Sequence, residues 1–429
     1  MTADGQRHLP SADVPRPAMS FTYQEKDLLC EGLAVAEIAA RTVKPFYLYS
    51  ARQLRENFRA YQTAFADADA TICFAVKSCS NIAILRLLNA AGAGADTVSG
   101  GEIQRALRAG IAPEKIIFSG VGKTRDEIAF ALESGIGQFN LESTEELEIV
   151  AQVAAAKNTK ARISIRLNPD VDAGTHEKIS TGRKSDKFGV PWPEAWSTYQ
   201  KARTLSQLEV EGVACHIGSQ ITELQPFQNA FAKITDLARK LQADGCALKR
   251  IDLGGGLGIR YRDETPLALS DYAESITHVI RPLGLQLFLE PGRSIAATAG
   301  VLISEVQFIK QAAGKSFVIL DAGMNDLARP ALYGAYHEIV PVHLRDGEET
   351  YDLVGPVCES SDIFGTNRKL ARLQAGDLVA ILNAGAYGAA MSSNYNTRPL
   401  LAEILVDGNR FRTIRERQSF EDIVALERS

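Results

Sequence analysis

The chain has 429 residues, more than the roughly 100–200 of one ordinary domain, so two domains or one large barrel with an appendage are expected. Its 45% hydrophobic and 23% charged residues are the mixture of a globular chain with a large core, which excludes disordered and collagen-like architectures. Against 52 Asp and Glu stand 47 Lys and Arg, a net charge of −5, so no global positive field exists to hold nucleic acid or an anionic membrane, though a local basic pocket for a small anion is compatible with it.

Met1 to Ala18 is polar, proline-bearing and without apolar periodicity, and it stops just before Met19; it reads as a mobile tail or alternative-start extension. The cysteines Cys30, Cys73, Cys79, Cys215, Cys246 and Cys358 lie far apart, without CxxC pairs and with no apolar leader before them. A reducing cytoplasm is therefore expected, with neither a disulfide framework nor a metal site. No uninterrupted apolar run reaches the ~18 residues of a membrane helix.

The segment FTYQEKDLLCEG, beginning at Phe21, has strand character. From Thr71 onward short β-rich segments alternate with longer amphipathic ones, the pattern of a parallel sheet covered by helices. The expected strands are Ile72–Val76, Ala95–Val98, Ile116–Ser119, Gln138–Leu141, Ala161–Leu167, Val210–Cys215, Arg250–Leu253 and Gln286–Leu289. Between them NIAILRLLNAAG, GEIQRALRAG and DEIAFALESG repeat apolar residues at intervals of three and four and close on glycine, as amphipathic helices do. Periodicity does not separate a closed (β/α)8 barrel from an open doubly wound sheet, but the count of eight favours closure. After Pro291 the runs VLISEVQFIK, FVILDAG, EIVPV, YDLVGPVC, DLVAILNAG and RPLLAEILVDG follow with little helix between them, an antiparallel second domain. The domain map is a tail at 1–18, a barrel at 48–296 and a discontinuous β domain from 19–47 plus 297–429.

Unusual polar residues collect where barrel strands end: Lys77, Asp96, Ser99, Asn168, His216, the glycines after Asp252, and Glu290. In a barrel these ends form one active-site rim. Each alone suits a solvated charge or a locally satisfied imidazole; their coincidence suits chemistry. Lys77 leaves a buried apolar strand, where desolvation favours the neutral amine and makes bonding to an aldehyde accessible. The run Asp252 to Gly258, DLGGGLG, is either a tight strand-to-helix turn or a phosphate cradle of backbone N–H groups. It lacks the third glycine of a dinucleotide fingerprint, because Ile259 stands there. Glu290 and Arg293, in EPGR, form either a capped turn with a local ion pair or a carboxylate for a protonated pyridine nitrogen beside a cation. Two features are discarded. SGVGKT at Ser119 to Thr124 would need its first P-loop glycine where Ile117 stands, and Cys215 and His216 point to opposite faces of a strand. A phosphate cradle, a desolvated amine, an aromatic partner and an acid for a ring nitrogen together describe a pyridoxal phosphate site.

On the motifs FAVKS, GADTVSGGE, NPDVDAGTHEKISTGRKSDKFGV, CHIGSQI, DLGGGLGI, EPGR, LDAGMNDLARPALYGAYH, CESSD and GAYGAAMSSNYNTRP, from about Phe21 to the C-terminal region, the sequence resembles the pyridoxal-phosphate-dependent decarboxylases of the alanine-racemase-like barrel fold, in the branch acting on meso-2,6-diaminopimelate. The resemblance implies that Lys77 carries the cofactor, His216 stacks on its ring and Glu290 pairs with its nitrogen. It places Ser219, Gly255, Gly256, Gly292, Arg293 and Tyr387 around the phosphate or the adjoining substrate carboxylate. It implies that Arg329 and Tyr333 bind the distal carboxylate, that Glu359 lies near the distal amine, and that Cys358 donates a proton into the neighbouring subunit's site, which makes a homodimer. From its residue type alone Cys358 suits an inert buried thiol and Arg329 a surface charge. Another decarboxylase or a racemase on the same cofactor fold, and a non-catalytic protein that binds the cofactor, remain as alternatives.

Overall fold

The structure is a computed structural model that describes residues 20–174, 181–183 and 186–428. The expected tail at 1–18 and part of the 171–187 loop lie outside the described residues. All eight expected barrel strands form, as Ala70–Ala75, Gly94–Thr97, Ile116–Phe118, Gln138–Leu141, Ala161–Asn168, Leu208–Cys215, Arg250–Asp252 and Gln286–Leu289. Each pairs in parallel with its neighbours, and the ring closes where Leu287 to Leu289 lie beside Ala70 to Ile72. The barrel is therefore closed, and its strand ends share one rim.

The expected crossovers are helices whose starts are written in the sequence. Asn81 caps Ile82–Ala90, Ser99 caps Gly100–Arg108, Thr124 caps Arg125–Glu133 with a reciprocal bond from Glu127, and Ser143 caps Thr144–Ala156. Each side-chain oxygen takes an otherwise unpaired first-turn N–H, worth about 1 kcal/mol. Apolar faces such as Ile84, Leu85 and Leu88 turn onto the barrel core. A cap directly after a strand holds the rim loops short.

The second domain is a mostly antiparallel sheet built around the long strand Gly300–Ala312. Its centre corrects the expected boundary at residue 48. Phe46–Ser50 pairs with Gly300–Ile303 on one side and with Ala402–Asp407 on the other, so residues 48–50 belong to this sheet and not to the barrel. The reason lies in FYLYS itself: all five side chains are buried, Tyr47 and Tyr49 in the large core that includes the barrel and Phe46 and Leu48 in the cluster under the N-terminal strands, so the strand is covered on both faces. Ile363–Ala371 and Arg410–Arg415, absent from the sequence reading, stand at the two ends of the sheet path. Edge strands keep one side in water, and IFGTNRKLA and RFRTIR accordingly lack an apolar run. The N-terminal segment forms the strands Phe21–Gln24, Asp27–Cys30 and Leu33–Ala34, and it packs in one cluster with Phe46, Val301 and Ile404.

Candidate active site

Lys77 stands on a single tight turn after the first barrel strand, and three bonds fix that turn. Ala75 N–H donates to Pro291 O at 3.1 Å, Ser78 Oγ–H to Ala75 O at 2.7 Å, and Tyr387 N–H to Ser78 O at 2.8 Å. The amine emerges as expected, yet it is not held neutral. Its Nζ lies 2.6 Å from Asp96 Oδ2, with the lysine side chain 37% exposed and the aspartate fully buried. Burial pulls the ammonium's pKa down, but the charge of Asp96 and its hydrogen bond outweigh it and raise the pKa above the ordinary lysine value. Asp96 arrives from the end of the adjacent strand, a pairing that becomes visible only once the strands are in register.

A sign follows from this. Below the raised pKa the fraction of free amine climbs about tenfold per pH unit, so capture of pyridoxal phosphate by cofactor-free protein should accelerate about as steeply between pH 7 and 9. Asp96→Asn removes the stabilising charge and should flatten that dependence and move its plateau to lower pH, read by stopped-flow absorbance. An unaltered profile in the variant would deny Asp96 this role.

Glu290 ends the last barrel strand and meets Asp252, which ends its neighbour. Asn140 Nδ2–H donates to Asp252 Oδ2 at 2.8 Å and Gly254 N–H to Asp252 Oδ1 at 2.9 Å, while Glu290 Oε1 accepts longer bonds, from Asn140 at 3.4 Å and Ser119 at 3.5 Å. Burial and the charges of Asp252 and Asp96 push Glu290 well above the ordinary carboxyl range. Asp252 is pushed up as well, by burial, so this pair of neighbouring buried acids disfavours carrying two negative charges.

His216 follows the strand Leu208–Cys215. Gly255 N–H donates to its Nδ1 at 3.2 Å, and its carbonyl accepts the Thr181 hydroxyl at 2.9 Å. Burial, with Arg166 and Lys77 adding, drives its pKa far below the usual imidazole value, so the ring is neutral. The glycine run is demanded by close approach. A Cβ on Gly255 would fall 2.2 Å from Glu290 O, and one on Gly256, at φ +107°, would fall 2.5 Å from Gly218 O. The turn therefore brings bare backbone against the Glu290 strand end and the 216–219 loop.

Beside it two guanidiniums are buried. Arg293 donates to Ser219 Oγ from Nη2 at 3.1 Å and to the Tyr261 hydroxyl from Nη1 at 2.8 Å, and it lies 4.9 Å from the Tyr387 ring centre. Arg329 opens the helix Arg329–Tyr333, donates from Nη1 to His337 Nε2 at 2.8 Å and lies 4.6 Å from the Tyr261 ring centre. It is 6% exposed, which removes the surface-charge reading. Among the described residues neither cation has a carboxylate partner, the arrangement of a site that expects an anion. Tyr333 ends the same helix and acts electrostatically on Arg293.

Lys77, His216, Ser219, Gly255, Gly256, Glu290, Gly292, Arg293 and Tyr387 are thus brought to one rim, with Arg329 and Tyr333 next to it. Cys358 and Glu359 are not. They sit on an exposed loop of the second domain, where the Tyr395 hydroxyl donates to Glu359 Oε1 at 2.5 Å, and Cys358 is exposed where the other five thiols are buried. Lys123 of SGVGKT donates to Gly120 O, Asn140 O and Glu146 Oε1, so it caps local groups and binds no nucleotide phosphate here. The sequence reading gave no role to Tyr261, His337, Asn140 or Arg166. Of these, only His337 stood in a quoted motif; Tyr261 and Arg166 each lie two residues outside one.

A turn-borne lysine paired with a strand-end aspartate, a buried strand-end glutamic acid, a neutral buried imidazole and a glycine cradle flanked by Arg293 define a pyridoxal-dependent enzyme of the closed-barrel class. Asp96 Oδ1, buried without a hydrogen-bond partner, and the unneutralised Arg293 show that these residues fit the cofactor. Residues 51–297 match the family model "Pyridoxal-dependent decarboxylase, pyridoxal binding domain". Diaminopimelate decarboxylase of Pseudomonas aeruginosa is 48% identical over 95% of this chain and 98% of its own, and that of Haemophilus influenzae 47% over 95% and 99%. Among solved structures, the Helicobacter pylori diaminopimelate decarboxylase complexed with L-lysine aligns with a TM-score of 0.89 at 45% identity, covering 91% of this chain and 98% of that one. The M. jannaschii diaminopimelate decarboxylase in co-complex with L-lysine aligns at 0.91 and 36% identity, over 96% and 98%. The chain belongs to the diaminopimelate decarboxylase family, a carboxy-lyase family whose cofactor is pyridoxal 5'-phosphate.

Proposed function

We propose that the chain removes carbon dioxide from the D-configured carbon of meso-2,6-diaminopimelate and releases L-lysine, the last step of lysine biosynthesis. The observation that carries this reading is the pair of buried, uncompensated guanidiniums, Arg293 and Arg329, that both lie against Tyr261. A substrate with a carboxylate at its far end matches the second of them.

Lys77 would hold the cofactor, His216 would pack on its ring, and Glu290 would pair with its ring nitrogen. Gly255, Gly256, Gly292, Ser219, Arg293 and Tyr387 hold the phosphate or the adjoining carboxylate. Bound there, pyridoxal phosphate supplies an electron sink for the pair left when the C–CO2 bond breaks. Arg329 and Tyr333 grip the distal carboxylate and Glu359 the distal amine, which fixes the orientation of the breaking bond. Cys358 delivers the proton that replaces carbon dioxide. Its exposure, with that of Glu359, supports a homodimer in which this loop completes the partner's site. Free thiols support a cytoplasmic enzyme. Among the described residues no helix is long and apolar enough to cross a membrane.

The test is turnover of meso-diaminopimelate by the purified, cofactor-loaded protein, with carbon dioxide and L-lysine expected in equal amounts. Epimerisation without gas release would instead identify a racemase, and spectral binding with no product a non-catalytic cofactor protein.

A further inference from the structure

We propose that His337 is a positioning residue for Arg329: a neutral acceptor that aims the guanidinium at the distal carboxylate without neutralising it. This rests on the assignment of Arg329 to that carboxylate. The imidazole is fully buried, and its Nδ1–H donates to Leu382 O at 2.8 Å. That carbonyl is itself fixed, since Leu382 N–H donates to Glu338 O where Ile339–Pro341 pairs with Leu378–Ile381. A proton held on Nδ1 leaves the lone pair on Nε2, the atom 2.8 Å from Arg329 Nη1. Gly334, at φ +61°, reverses the chain after the helix Arg329–Tyr333 and lets His337 return onto that helix's first residue.

The choice of a neutral base matters. An aspartate or glutamate at 337 would satisfy the same N–H groups but would cancel the charge meant for the ligand. The Tyr261 ring meets the imidazole in a T-shaped contact, with centroids 5.3 Å apart, and Arg329 lies 4.6 Å from the same ring's centre. The fork is thus held between an aromatic plane and one acceptor. Burial and the adjacent Arg329 drop the imidazole's pKa to about 3, so it stays uncharged at every pH where the enzyme would be assayed.

The experiment uses the cofactor-loaded protein and measures equilibrium binding of L-lysine and of 1,5-diaminopentane, which has no carboxylate. His337→Asn keeps a donor near Leu382 O but withdraws the acceptor from Arg329. It should weaken L-lysine binding about tenfold, leave the diamine unchanged, and raise KM for meso-diaminopimelate more than it lowers kcat. His337→Gln, whose amide reaches the Nε2 position, should recover most of the loss. In an Arg329→Lys background His337→Asn should add less than twofold. Equal weakening of both ligands, or full additivity with Arg329→Lys, would overturn the proposal and leave His337 a packing residue. If Arg329→Lys alone left L-lysine affinity unchanged, the fault would lie with the assignment of Arg329. Should the Asn variant not fold, the Gln variant carries the test: L-lysine affinity falling in parallel with diamine affinity overturns the proposal, and a diamine-independent change of the carboxylate ligand supports it.

Discussion

Lys77→Ala should abolish the visible absorption band of the bound cofactor and lower turnover of meso-diaminopimelate by on the order of 10⁴-fold or more. The size follows from what the position supplies. The amine is the one lysine nitrogen placed at the strand-end rim beside Asp96, Glu290 and Tyr387, and the tight turn that carries it is clamped from both the barrel and the second domain. Alanine keeps the turn but removes the amine that, among the described residues, is placed there to bond an aldehyde carbon. Lys77→Arg separates the covalent role from the electrostatic one. A guanidinium preserves the cation opposite Asp96, so the fold and the charge balance persist, yet it cannot act as the nucleophile. The arginine variant should therefore melt near wild type and still show no band. Retention of the band in either variant would reject Lys77 as the anchor, whatever the loss of turnover.

The same residues show what the sequence could and could not convey. Barrel strands were legible because each is a short apolar run closed by a helix whose cap, as at Ser99 and Thr124, is a local signal. The boundary drawn at 48 split Phe46–Ser50 between the two domains, since burial on both faces reads alike in any sheet, and only its partners at Gly300–Ile303 and Ala402–Asp407 place it. Lys77, His216 and Glu290 announced themselves as polar residues at strand ends. Their protonation did not. Asp96 lies 19 positions from Lys77, and Asp252 lies 38 from Glu290, so the charged amine and the upward push on the Glu290 carboxyl are products of strand register. His337 illustrates the same limit. Eight residues from Arg329 it has no helical relation to it, and the Gly334 reversal alone brings the two into contact.

Arg329→Ala should lower kcat/KM for meso-diaminopimelate by about 10³-fold, or roughly 4 kcal/mol, while the cofactor band remains. The guanidinium is 6% exposed, hydrogen-bonded to an uncharged imidazole and stacked on Tyr261, with no acid among the described residues to balance it. It carries the cost of a desolvated charge in the free enzyme and recovers it only when a carboxylate arrives, which makes that carboxylate a condition of binding. L-lysine presented for decarboxylation, or ornithine, leaves a bare ammonium or nothing at the distal end and so forfeits this recovery. In the wild-type protein such substrates should be poor by a comparable factor. In Arg329→Ala the factor should collapse, because the variant has lost the cation that penalised them while keeping Lys77 and the glycine cradle. The diagnostic quantity is therefore the ratio of kcat/KM for meso-diaminopimelate to that for L-lysine, which should fall by two orders of magnitude or more even if both absolute rates drop. Arg329→Lys, retaining the charge but not the planar fork, should fall between the two. A variant with near-normal diaminopimelate kinetics, or one in which both substrates lose activity equally, would remove Arg329 from the distal carboxylate and with it the basis for naming this substrate.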